Sequence, residues 1–136
     1  MEKATFGAGC FWGVEAAYRN VPGVTATAVG YLGGTLDNPD YKQVCSGRTG
    51  HAEVVEVEFD PSEASYEDML AVFWREHDPT QMNRQGWDVG TQYRSAIFTH
   101  SPEQTEIART SLAAEQGRYR KTISTEITPA STFFPA

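Results

Sequence analysis

The chain has 136 residues, 40% of them hydrophobic and 21% charged, the size and make-up of one globular domain able to bury its own core. Eleven Lys and Arg against 18 Asp and Glu leave a net charge of −7, which excludes nucleic acid and anionic membrane as natural partners, because both reward an excess of basic residues. No run is long enough for a membrane helix and no apolar leader is visible, so the expected location is the cytoplasm; two cysteines and three scattered histidines make neither a disulfide framework nor a zinc site.

Taken in order, residues 3–6 read as a short strand, and residues 14–19 are rich in helix formers. Between them lies Gly7-Ala8-Gly9-Cys10-Phe11-Trp12-Gly13. Cys10 is thus expected where a strand turns into a helix, at or near the first turn, where unpaired N–H groups and the helix dipole favour a negatively charged sulfur. A lone cysteine between glycines is also compatible with a small buried residue. The glycines do not make a nucleotide loop: Trp12 stands where a dinucleotide fingerprint needs its third glycine, and no Lys-Ser or Lys-Thr pair follows.

Asn20-Val21-Pro22-Gly23 is a turn, and residues 24–31 read as a strand. Residues 30–50 then form a glycine-rich loop with little periodicity, of the length that compact domains reserve for function. Residues 51–59 are the clearest strand, with Val55, Val57 and Phe59 on one face and Glu56 and Glu58 on the other. Glu53 has the parity of the apolar set. A carboxyl on the core side loses solvation and holds its proton toward neutral pH, the state a general acid needs. A strand end that already reaches solvent, or a carboxylate paired with a buried base, fits the same position.

Ser65-Tyr66-Glu67-Asp68 is a capped helix start, with Tyr66, Met69, Leu70, Phe73 and Trp74 on one stripe. Residues 78–92 form a second polar loop that carries Asp88 and feeds Tyr93. Residues 93–99 read as a strand, Ser101-Pro102-Glu103-Gln104 starts a helix that runs to about residue 119 with a full capping box, and residues 123–127 read as a last strand. The order β-α-β-β-α-β-α-β, without repeat or linker, points to a single domain over residues 1–136. Its fold class is α+β: a split βαβ core with a mixed sheet and helices packed on it.

Four motifs in register carry a resemblance: Gly9-Cys10-Phe11-Trp12-Gly13, Tyr41, Gly50-His51-Ala52-Glu53, and Asp88-Val89-Gly90-Thr91-Gln92-Tyr93-Arg94-Ser95. Together they resemble the type A peptide methionine sulfoxide reductases, along essentially the whole chain from Thr5 onward. The resemblance implies a ferredoxin-like core and thiol-dependent reduction of the S epimer of methionine sulfoxide, protein-bound or free. It implies Cys10 as nucleophile, Phe11 and Trp12 as the pocket for the substrate methyl, and Glu53 as donor to the sulfoxide oxygen. Tyr41 and Tyr93 would assist that oxygen, and Asp88 would order the site.

No bound cofactor or metal is implied; the electrons come from an external thiol, thioredoxin or a small molecule, and the protein acts as a monomer. Cys45 is expected to be structural, since resolving cysteines of the family lie in a tail beyond the last strand. The family pattern continues after the equivalent of Phe134-Pro135-Ala136 with an acidic segment and often cysteines, so either the sequence is a piece of a longer chain or the Cys10 sulfenic acid is reduced directly by an outside thiol. The readings from other classes are a different Cys10-based thiol peroxidase and a catalytically weakened domain that binds oxidised methionine.

Overall fold

The computed structural model describes residues 1–46 and 48–136. Alternating apolar residues build β1 (Glu2–Ala8), which turns at Gly9 into α1 (Phe11–Arg19) and returns as β2 (Val24–Leu32). The chain continues through α2 (Tyr41–Cys45), β3 (Ala52–Phe59) and α3 (Tyr66–Arg75). A small hairpin of β4 (Arg84–Gln85) and β5 (Asp88–Val89) leads into a 3-10 turn (Thr91–Tyr93), then β6 (Ser95–Thr99), α4 (Pro102–Gln116), β7 (Glu126–Pro129) and β8 (Phe134–Pro135).

Six strands form one sheet in the order β7-β6-β1-β3-β2-β8, with β4 and β5 apart from it. β6 and β7 run parallel, and the other neighbouring pairs are antiparallel. The central order β6-β1-β3-β2, with α1 and α3 as crossovers, is the ferredoxin-like split βαβ core that the sequence suggests. α1 and α3 cover one face of the sheet. There Phe6 of β1 stacks between Tyr18 of α1 at 5.5 Å and Phe73 of α3 at 5.2 Å, and the Tyr18 hydroxyl donates to the Met69 carbonyl at 2.9 Å. Burial of these aromatics is the main stabilising term of the core.

The opposite face holds a smaller cluster of Leu32, Ala52, Val54, Ala96 and Phe98, closed by Ala130 and Phe133 of the C-terminal segment. The end of the sheet near residue 53 is therefore buried on both faces, and the start of β3 reads Ala52-Glu53-Val54-Val55 rather than strictly alternating.

Four local expectations need correction. The stretch 30–50 is not all loop: Asp40 caps α2 through a reciprocal pair of bonds with Gln43, a box hidden among turn residues (position 47 lies outside the described residues). Tyr93 belongs to the 3-10 turn, not to β6, because Gly90 with φ of 145° breaks the extended chain just before it. The last long strand is shifted to residues 126–129, where it pairs with β6. The α4 box is half formed: Ser101 accepts from Gln104 N, but the Gln104 side chain accepts from His100 N and donates to the Lys3 carbonyl, tying α4 to β1.

Candidate active site

Cys10 is the N-cap of α1, exposed, and its side chain makes no cap bond. The cap position follows from the residue before it. Gly9 has φ of 95°, a left-handed turn that lets β1 stop and α1 start within one residue. The first N–H of the helix, on Phe11, donates instead to Oε1 of Glu53 at 3.4 Å. That bond spans 42 residues of sequence and puts the carboxyl of β3 against the residue that follows the thiol.

Glu53 is 1% exposed, and its other oxygen, Oε2, is buried without a partner among the described residues. Burial pushes its pKa up to about 7; the Phe11 N–H opposes the shift and the charge of Asp88 adds to it. The carboxyl therefore holds its proton at pH values where an exposed glutamate is ionised. The parity argument for Glu53 holds because the helices cover that face of β3 all the way to residue 53.

The two expected phenols come from different elements. Tyr41 starts α2 and is half exposed, with its ring 6.4 Å from that of Phe11. Its pKa is raised, chiefly by the neighbouring Cys45 thiol, with Tyr93 acting the other way. Tyr93 ends the 3-10 turn, and its pKa is raised by burial first and then by the negative charge of Glu53 and by Tyr41. Asp88 is exposed on β5 and reaches Glu53 through its charge.

Phe11 and Trp12 part company. Phe11 is 1% exposed and packs under the site, in edge contact with Trp12 at 4.8 Å, whereas Trp12 is 58% exposed. A cleft of about 400 Å³ opens beside them, lined by Trp12, Tyr31, Pro39, Asp40, Tyr41, Pro135 and Ala136. Among the described residues no helix is long and apolar enough to cross a membrane, and no cluster of His, Cys, Asp and Glu could hold a metal ion.

Three features of this region escape a reading of the sequence. Tyr31 lies directly opposite Glu53 in the β2–β3 register, is 1% exposed, and packs 5.7 Å from Phe11. Burial and the Glu53 charge push its pKa up to about 12. The register between β2 and β3 would have exposed it, but the long connection between the strands hides that register.

His51 is the second. Its Nδ1 accepts from Gly34 N at 3.0 Å and its Nε2 donates to the Leu36 carbonyl at 2.6 Å, so one neutral tautomer pins the loop that leads to Tyr41. The third is Cys45, expected to be structural. It is exposed at the end of α2, and its thiol acts on Tyr31, Tyr41 and Tyr93.

A thiol placed next to a carboxyl whose pKa burial raises to about 7, with phenols close to that carboxyl, has the groups to pass two electrons to an acceptor that must take up protons as it is reduced. Fold and site together define a thiol-dependent oxidoreductase. The family model described as peptide methionine sulfoxide reductase matches residues 2–136. The peptide methionine sulfoxide reductase MsrA of Methanothermobacter thermautotrophicus is 62% identical, with 99% of this chain and 81% of that protein aligned. The protein of the same name from Methanoculleus marisnigri is 59% identical over 100% of this chain and 84% of its own length. Among solved structures, reduced Mxr1 of Saccharomyces cerevisiae superposes with a TM-score of 0.94 at 36% identity, covering 99% of this chain and 79% of that one. Mxr1 in complex with Trx2 superposes with a TM-score of 0.75 at 26% identity, over 99% of this chain and 80% of that one. The chain belongs to the peptide methionine sulfoxide reductase family, and its reaction is the thiol-dependent reduction of methionine sulfoxide to methionine.

Proposed function

We propose that Cys10 is the nucleophile of this reaction, that Glu53 is its acid, and that the S epimer is the substrate form. The Cys10 sulfur attacks the sulfoxide sulfur, the S–O bond breaks, and the oxygen passes to Cys10 as a sulfenic acid while the thioether leaves. That oxygen gains charge as the bond weakens, so the step needs a proton and donors around it. The observation that carries the reading is the Glu53 carboxyl: one oxygen held by the N–H next to Cys10, the other buried and unpartnered. A proton on Oε2 is kept there by burial and has an acceptor only when the sulfoxide oxygen arrives.

Tyr41 and Tyr93 supply hydrogen bonds to the same oxygen, their pKa values raised so that they remain donors. Burial keeps Glu53 protonated, and the like charge of Asp88 adds to it. Trp12 forms a wall for the substrate methyl in the cleft, and Phe11 backs it, an apolar and sulfur-tolerant lining. Every group that this reading uses lies on one chain, so the reading calls on neither a second copy nor a resident cofactor. A dithiol of the thioredoxin type, or a small thiol, then reduces Cys10–SOH back to the thiol and releases water, itself ending as the disulfide. The free thiols of Cys10 and Cys45 suit a reducing compartment, the cytoplasm. Oxidised proteins, peptides and free methionine sulfoxide all present the one group that the cleft must hold.

The test is turnover of a blocked methionine sulfoxide, resolved into epimers, with dithiothreitol as reductant. The S epimer is expected to yield thioether and the R epimer none, with Cys10→Ser inactive on both. Turnover of the R epimer at an equal rate, or activity surviving in Cys10→Ser, overturns the assignment.

A further inference from the structure

The hairpin of β4 and β5 is seated on the site. Its first strand puts Gln85 so close that a Cβ built on Gly9 would come within 2.9 Å of the Gln85 Cγ, and Gln85 is locked in place by two bonds to the backbone of Asp78, at 3.0 and 2.6 Å. Gln85 and Asp88 are opposite one another in the hairpin, and it is Asp88 whose charge reaches Glu53. Residues on both strands thus face the catalytic groups. The two-residue turn between them is Gly86, with φ of 58°, and Trp87.

Trp87 is 99% exposed, and Val89 on the outward side of the same ribbon is 66% exposed. A fully exposed indole at the tip of a braced hairpin gains nothing for the fold. It is the residue type that supplies most binding energy when another chain covers it. Trp12, two residues after Cys10, is also exposed.

We infer that Trp87 and Val89 form a docking rim for the polypeptide on either side of the oxidised methionine, and so set the preference of the enzyme for peptide-bound over single-residue substrate. The inference rests on the reading of Cys10 as nucleophile. A peptide whose sulfoxide reaches Cys10 must run its neighbouring residues past the turn at Gly9, and Gln85 of the hairpin packs against that turn. The occupant is an extended segment with apolar, non-acidic flanks. Apolar side chains cover the indole, and acidic ones meet Asp88 and the net charge of −7.

The experiment compares kcat/KM, with dithiothreitol as the only reductant, for N-acetyl methionine-S-sulfoxide amide, for a pentapeptide with Leu flanking the sulfoxide, and for its Asp-flanked counterpart. Wild type is expected to prefer the Leu-flanked peptide to both. Trp87→Ala lowers the ratio of Leu-flanked peptide to blocked residue by about fivefold to tenfold, the value of partly burying an indole, and Trp87→Phe restores most of it. An unchanged ratio in Trp87→Ala overturns the inference, as does an equal fall on all three substrates, or an effect that appears only when a thioredoxin replaces dithiothreitol. If wild type reduces none of the three substrates, it is the assignment of Cys10 that fails. Exposure of Trp87 keeps the fold out of the comparison, which circular dichroism of the variant checks.

Discussion

At the scale of single residues, the proposed mechanism depends on keeping one carboxyl protonated. In it Glu53 serves as the acid only while its folded-state pKa stays near 7, and the largest cause of that value is burial on the helix-covered face of β3. Two consequences are measurable in a single-turnover experiment that follows thioether release. The rate of Cys10 oxidation falls as pH rises through about 7, because the proton is lost from Glu53. Glu53→Gln, which keeps the size and removes the proton, slows the step by about 10²-fold to 10³-fold and abolishes that arm of the profile. A variant as fast as wild type would remove Glu53 from the chemistry. The position of Glu53 in a period-two pattern was visible from the start, and so was the placement of Cys10 at a helix entrance. Tyr31 was not visible, because a tyrosine in β2 becomes a site residue only through its pairing opposite Glu53.

At the scale of elements, the cleft is closed by a strand too short to be seen in advance. β8 holds two residues, pairs with β2 at Gly30 and Tyr31, and is fastened by the Ala136 N–H to the Val29 carbonyl at 3.0 Å. It brings Pro135 and Ala136 to the cleft wall. Gly30 makes this possible, since a Cβ there would collide with the Phe134 carbonyl oxygen and, at 2.6 Å, with the Phe133 ring. Gly30→Ala is therefore expected to detach β8 while β2–β3 pairing survives, at a cost of about 1–3 kcal/mol. Faster hydrogen exchange at the Ala136 amide and a several-fold higher KM would register it. Unaltered exchange there would mean that the terminal strand yields without leaving. Apolar periodicity cannot announce a two-residue strand, and no window of sequence reports what a glycine 100 residues away leaves room for.

At the scale of the whole molecule, two buried titratable groups work against each other. Glu53 binds its proton more tightly folded than unfolded, with about 7 against 4.5, so its contribution is full at low pH and is lost as pH rises through that window. His77 is the reverse. It is enclosed between α3 and β6, with Nδ1 on the Phe73 carbonyl at 2.7 Å and Nε2 on Ser95 Oγ at 2.7 Å, and burial lowers its pKa to about 4 from 6.5. Stability from His77 is present above pH 6.5 and lost as pH falls toward 4. Between pH 4.5 and 6.5 the two slopes oppose, and the wild-type stability curve is shallow there. Glu53→Gln leaves His77 alone, so stability of that variant climbs with pH across the window and gains on the order of 2–3 kcal/mol on wild type by pH 7.5. Urea midpoints at pH 4.5, 6 and 7.5 decide it, and parallel curves for the two proteins would mean that Glu53 titrates normally.

The strands β1, β2 and β3, helices α1, α3 and α4, the entrance position of Cys10 and the inward face of Glu53 were all readable from local pattern, because periodicity and capping are properties of neighbours along the chain. The central order β6-β1-β3-β2 also follows, once the ferredoxin-like core that the resemblance implies is granted. What needed the folded molecule is everything that joins distant residues. The bond from Phe11 N to Glu53, the orphaned Oε2, the α2 helix that carries Tyr41 and Cys45, and the hairpin that seats Gln85 against Gly9 are examples. The physical reason is the same for all of them. A carboxyl acquires a raised pKa from the dielectric around it, and that surrounding is assembled from segments whose meeting leaves no trace in the order of the residues.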